Sequence, residues 1–145
     1  MPEVSTDAGF SLVELMIALA VAAIIAAFAI PSYQGYLQRS YLPEASSGLL
    51  LTGLRLEQYY QDRRSYAGDS GCGVALPAAR HFIFSCTPAA DGQSFVLTAT
   101  GVQQDTMRGF AFTLDQQGNA RTTALPEGWG TVPQPCWITK RGSGC

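Results

Sequence analysis

Residues 10–30 read FSLVELMIALAVAAIIAAFAI, in which only Ser11 and Glu14 are polar and Leu15 to Ile30 is unbroken. A helix of about 20 residues at about 1.5 Å rise per residue spans the roughly 30 Å hydrocarbon core of a bilayer, so this segment is expected to cross a membrane. A cleaved signal peptide is the plain rival, and Ala27-Phe28-Ala29 even supplies an A-x-A pattern. Three features oppose it: no Lys or Arg precedes Arg39, the apolar run exceeds an ordinary h-region, and a carboxylate interrupts its start. An acid inside a spanning segment costs about 2.5–3.5 kcal/mol at the bilayer centre and generally has a partner, so Glu14 asks for a cation.

The rest of the 145-residue chain has room for one small domain. Nine Lys and Arg stand against eleven Asp and Glu, a formal charge of -2, which is no polyelectrolyte footprint. Cys72, Cys86, Cys136 and Cys145 all fall in the C-terminal half, and their pairing implies an oxidising compartment. None is in a C-x-x-C arrangement and His81 is the single histidine, so neither a metal site nor a cofactor is expected.

Gly9-Phe10-Ser11-Leu12-Val13-Glu14-Leu15-Met16, followed by the apolar run to Pro31 and Tyr33, closely resembles the class III signal of type IV pilins and pseudopilins. The resemblance implies cleavage by a prepilin peptidase between Gly9 and Phe10, N-methylation of the Phe10 amine, and assembly through a contact of that amine with Glu14. Residues 1–9 would then be a leader, although MPEVSTDAG carries Glu3 and Asp7 and no basic residue, where such leaders often carry Lys or Arg.

Pro31 removes a backbone donor and is expected to kink the helix without necessarily ending it. Beyond it Ala45, Leu49, Thr52, Leu56 and Tyr59 recur at spacings of four and three, while Arg55, Gln58 and Asp62 fall on another face. The spacing predicts one long helix over 10–62 with a membrane segment at 10–30. Pro43, Gly48 and Gly53 lower helical propensity and suggest a second bend or a loosened stretch. Residues 63–145 form the head. Glycines 68, 71 and 73 with Pro77 make 63–80 an irregular loop, and strands are expected at 81–86, 94–102, 109–115 and 120–124, joined in part by turns at Asp91-Gly92 and Gly118-Asn119. The fold class is α+β: a long helix packed on an antiparallel sheet of about four strands.

Four cysteines allow three pairings, of which Cys72–Cys86 with Cys136–Cys145 makes two local loops that would staple a small extracellular head. A helix ending LEQYYQDRRSYAG, a cysteine in the following loop and a cysteine loop after Trp129 look like the minor pilins of the PilE and ComP kind. This resemblance implies a pilin fold, pilus assembly or priming in motility and adhesion, and as partners other pilin subunits, the prepilin peptidase and the inner-membrane assembly platform. The subunit would wait in the inner membrane, head in the periplasm, before joining an extracellular pilus.

No nucleophile motif or phosphate-cradling glycine loop is present, and Asp62, Asp69, Asp91, Asp105 and Asp115 are scattered as solvated acids are, without EF-hand spacing. The chain is not expected to be an enzyme. His81 opens a strand and reads as a surface or packing residue. Two alternatives share the N-terminal segment. One is a pseudopilin of a type II secretion system. The other is a DNA-binding minor pilin for DNA uptake, with Trp137, Lys140 and Arg141 as the candidate site and Arg63, Arg64 or Arg80 as candidates to join it. Loss of Glu3 and Asp7 leaves nine acids against nine bases, a balance that gives phosphate binding no general support.

Overall fold

A computed structural model describes residues 9–69 and 71–145, without the side chains of Pro31 and Ser32. The chain divides into two compact units, one ending at Tyr36 and the other Leu37–Cys145. Helix α1, Leu12–Arg63, contributes to both. Ser11 caps it by accepting the Glu14 N–H on Oγ at 3.2 Å while its carbonyl accepts from Leu15. S-x-x-E is a capping-box spacing, a helix start that the sequence carried in plain sight. The helical backbone runs through Pro31 and Pro43. It ends at Arg64, which takes a left-handed φ of 56° and donates its N–H to Tyr60 O at 2.7 Å. Gln93, in the turn between Pro88 and Phe95, holds that end by donating to Arg64 O at 3.1 Å and accepting from the Tyr60 hydroxyl at 2.6 Å.

In the second unit four strands, β3 (Phe82–Pro88), β4 (Phe95–Gly101), β5 (Ala111–Asp115) and β6 (Ala120–Ala124), form an antiparallel meander in chain order. β4 alternates between buried Phe95, Leu97, Ala99 and Gly101 and more open positions, as a sheet with one covered face requires. The helix meets that face with Leu42, Ala45, Leu49, Thr52 and Leu56, all buried, so the stripe starts earlier than expected and Tyr59 sits at its half-buried margin. Buried Thr52 remains satisfied because Oγ1 donates to Gly48 O at 2.7 Å. Fully burying each leucine contributes about 1.5–3 kcal/mol.

Three expectations are corrected. Gly48 and Gly53 do not loosen the helix; they let it approach the sheet. A Cβ at Gly48 would collide with the Phe84 ring, and one at Gly53 would lie 3.3 Å from Leu114. Gly48→Ala is therefore expected to lose about 1–3 kcal/mol by overpacking, despite alanine's better helix propensity, read as a lower thermal midpoint. Residues 63–80 are not wholly irregular, because β1 (Ala67–Gly68) pairs with β2 (Gly71–Cys72). Phe110 lies just before β5 rather than in it, yet is fully buried: its N–H donates to Met107 O at 3.2 Å within the preceding turn instead of joining the ladder.

Both turns use glycine at positive φ: Gly92 (68°) donates to Ala89 O and Gly118 (78°) to Asp115 O. Burial, then the bond its hydroxyl donates to Glu57 at 2.8 Å, pushes Tyr66 up to about 12, so its phenol stays neutral as it fastens the loop to α1. Disulfides join Cys72 to Cys86 and Cys136 to Cys145, each with Cα atoms 5.8 Å apart. Loops of 14 and 9 residues correspond to about 2–3 kcal/mol each in the chain-entropy account.

Candidate assembly and recognition surfaces

In the first unit Gly9 precedes the helix and Phe10 is 85% exposed. The large apolar residues from Leu12 to Ile30 are 50–76% exposed on every face of the helix, with none of the described residues covering them. A helix apolar all round is stable only inside lipid or against other helices. Glu14 lies in the first turn, among these side chains, without an ion-pair partner among the described residues. Residues 1–8, with Glu3 and Asp7, lie outside the described residues.

In the second unit the three residues singled out near the C-terminus have different surroundings. Trp137 is half-buried and spends its indole N–H on Thr113 O at 3.0 Å, which ties the cysteine loop to β5. Arg141 lies instead over Trp129, 5.7 Å from the ring centroid, and its Nη2 donates to Gln38 Oε1 at 3.4 Å. Lys140 is exposed beside it. Arg63 and Arg64 are at the other end of the head's helical segment, about 37 Å from Gln38 at the α-helical rise, so they do not join Lys140 and Arg141.

His81 is not a bystander, and Asp105 is not a free solvated acid. His81 Nδ1 meets Asp105 Oδ2 at 2.6 Å, and its ring stacks on Tyr41 at 3.8 Å. Its backbone N–H donates to Glu44 Oε1 at 2.9 Å. The group clasps α1, the start of β3 and the β4–β5 turn. The His81 bond lowers the Asp105 pKa; burial opposes that, and the Thr106 N–H assists it. A depressed carboxylate adds stability that is complete above the ordinary Asp range and lost as pH falls through the lowered value. Asp105→Asn should therefore lose less stability than the parent on acidification from about pH 5 to about pH 3, measured by chemical unfolding at each pH. Asp115 is lowered as well: burial pushes it up, but the Asn119 side chain and the N–H groups of Asn119 and Gln117 outweigh it and fix the β5–β6 turn.

The sequence carried no local signal for the His81 clasp or for Gln38, whose Nε2 donates to Thr106 O at 3.3 Å, because the partners lie 24, 68 and 103 residues apart.

Known proteins resemble this chain over both segments. Residues 31–109 match a family described as "Type IV minor pilin ComP, DNA uptake sequence receptor", and residues 5–30 match the prokaryotic N-terminal methylation motif. The fimbrial protein EcpC of Eikenella corrodens is 33% identical over 144 residues, covering 88% of this chain and 93% of EcpC. The type IV major pilin protein PilE1 of Neisseria gonorrhoeae is 40% identical over 73 residues, which is 49% of this chain and 33% of that protein. A solved type IV pilin from Shewanella oneidensis aligns with TM-score 0.47 and 25% identity, over 57% of this chain and 89% of that one.

Proposed function

The chain belongs to the type IV pilin family, and from that premise we propose that it works as a minor pilin, a structural subunit whose mechanism is assembly rather than catalysis. The observation that carries this reading is the helix Leu12–Ile30, apolar on all faces and uncovered, with one acid in its first turn. Such a surface needs lipid first and neighbouring helices afterwards. Prepilin peptidase cuts between Gly9 and Phe10, and the Phe10 amine is methylated. The amine then meets Glu14 of a neighbouring subunit, which sets the register of parallel helices and neutralises a costly charge. The subunit is held in the inner-membrane bilayer by this helix until, with the assembly platform as partner, it enters the fibre.

The mass of the purified mature protein tests the processing. It should begin at Phe10, carry one methyl group, and be four hydrogens lighter than the reduced chain, two for each disulfide. Deleting the gene tests the machine: loss of surface pili or twitching fits a pilin, whereas intact pili with failed protein secretion would indicate a pseudopilin.

The match to a family described as a DNA uptake sequence receptor favours a second reading, capture of DNA by the head. Lys140 and Arg141 would supply phosphate contacts from the C-terminal loop, while Trp137, its indole N–H already engaged, would support the loop. A salt-dependent shift of labelled duplex by the purified protein, lost on Lys140→Ala with Arg141→Ala, supports this reading. No shift at low salt sinks it.

A further inference from the structure

Gln38 gathers basic residues from three distant parts of the chain. Its Nε2 donates to Thr106 O at 3.3 Å, which fastens the turn carrying Arg108. Its Oε1 accepts from Arg141 at 3.4 Å, which fastens the loop carrying Lys140 and Arg141. Arg39 is the next residue on α1. These four are all exposed, and none has a carboxylate within ion-pair distance among the described residues. Two acids are already engaged, Asp105 by the His81 ring and Glu44 by the His81 backbone N–H, and Glu127 is exposed. Pilus assembly through α1 gives this cluster no task.

The chain sets how far the cluster can stand from the membrane. Arg39 follows Ile30 by nine residues, which span at most about 31 Å when fully extended and about 13 Å when helical. The headgroup layer extends about 5–8 Å beyond the hydrocarbon, and the field of its charges decays over about 8–10 Å. Tyr33 and Tyr36, 62% and 63% exposed, occupy the interval with rings suited to a membrane interface. Guanidinium groups pair with phosphate oxygens in two-pronged fashion, and Arg provides three of the four cations.

We propose that Arg39, Arg108, Lys140 and Arg141 form a basic rim that rests the head on acidic phospholipid headgroups while the subunit waits in the membrane. This rests on the reading of residues 10–30 as a bilayer span. Phosphate contacts hold the rim, and extraction of the subunit into a fibre breaks them, so the rim sets the tilt of the head beforehand.

The test uses the full chain in lipid nanodiscs, of phosphatidylcholine alone or with about 30% phosphatidylglycerol, with amide hydrogen exchange read at residues 106–109 and 139–142. Exchange should be about fivefold or more slower with phosphatidylglycerol, and the difference should vanish at about 0.5 M salt. The R39Q/R108Q/K140Q/R141Q variant should lose the lipid effect, and R39K/R108K/R141K should keep it, which separates charge from the packing of Arg141 on Trp129. Equal exchange in the two lipids overturns the proposal, as does a Gln variant that keeps the effect. Protection of these amides by duplex DNA on phosphatidylcholine discs, with none from phosphatidylglycerol, overturns it in favour of nucleic acid. Failure of the chain to float with discs of either composition would refute the span itself.

Discussion

Replacing Glu14 with leucine is expected to leave membrane insertion intact or improved and to collapse incorporation into pili. The two effects have opposite signs because one carboxylate meets two environments. In the lipid-held subunit it is an uncompensated acid in an apolar segment, at up to about 2.5–3.5 kcal/mol on insertion scales. In the fibre it would face the Phe10 amine of a neighbour. Removing one partner of a buried pair leaves the other charge unpaired, at about 3–5 kcal/mol, or on the order of 100-fold or more in the assembly equilibrium. The measurement is the ratio of variant protein in sheared pili to that in the membrane fraction. Normal incorporation would refute the pairing.

Trp129→Ala should have the largest effect on the head itself. Trp129 is 1% exposed, packs edge-on against Phe110 at 4.7 Å between centroids, and lies beneath Arg141. Its backbone also accepts from Gly142 at 3.1 Å, so the residue joins the core to the C-terminal loop. Truncating a buried tryptophan costs about 3–5 kcal/mol, comparable to a large share of the about 5–15 kcal/mol that holds a domain of this size. A fall in the thermal midpoint of roughly 12–30 °C follows. Trp129→Phe should lose much less, since Nε1 has no hydrogen-bond partner to forfeit among the described residues. Similar midpoints for the Ala variant and the parent would show that Trp129 is not the anchor of the core.

The two outcomes separate the units of the chain. Glu14 belongs to a segment whose chemistry is satisfied only outside the monomer, and Trp129 to one that is satisfied within it. A Trp129 variant should fail before assembly; a Glu14 variant should fold its head and fail at assembly.

Much of the molecule was legible in the sequence, because the informative patterns are local. An unbroken apolar run states a need for lipid, and an acid inside it states a need for a cation. The 3.6-residue and two-residue periods announce a helix face and a sheet face wherever one side is buried. Two short cysteine spacings favoured local loops. Only tertiary structure decided the rest. Gly48 and Gly53 read as weak helix positions until Phe84 and Leu114 are placed against them, where the missing Cβ is what lets the helix seat. His81 and Asp105 read as a surface or packing residue and a solvated acid until the β4–β5 turn brings them to 2.6 Å. Trp137 and Trp129 are equivalent in composition, yet one supports a loop and the other centres the core. The physical reason is the same in each case. Propensity and periodicity act over a few neighbouring residues, whereas Gln38 meets Thr106 and Arg141 at separations of 68 and 103, contacts that exist only after the sheet has packed on the helix.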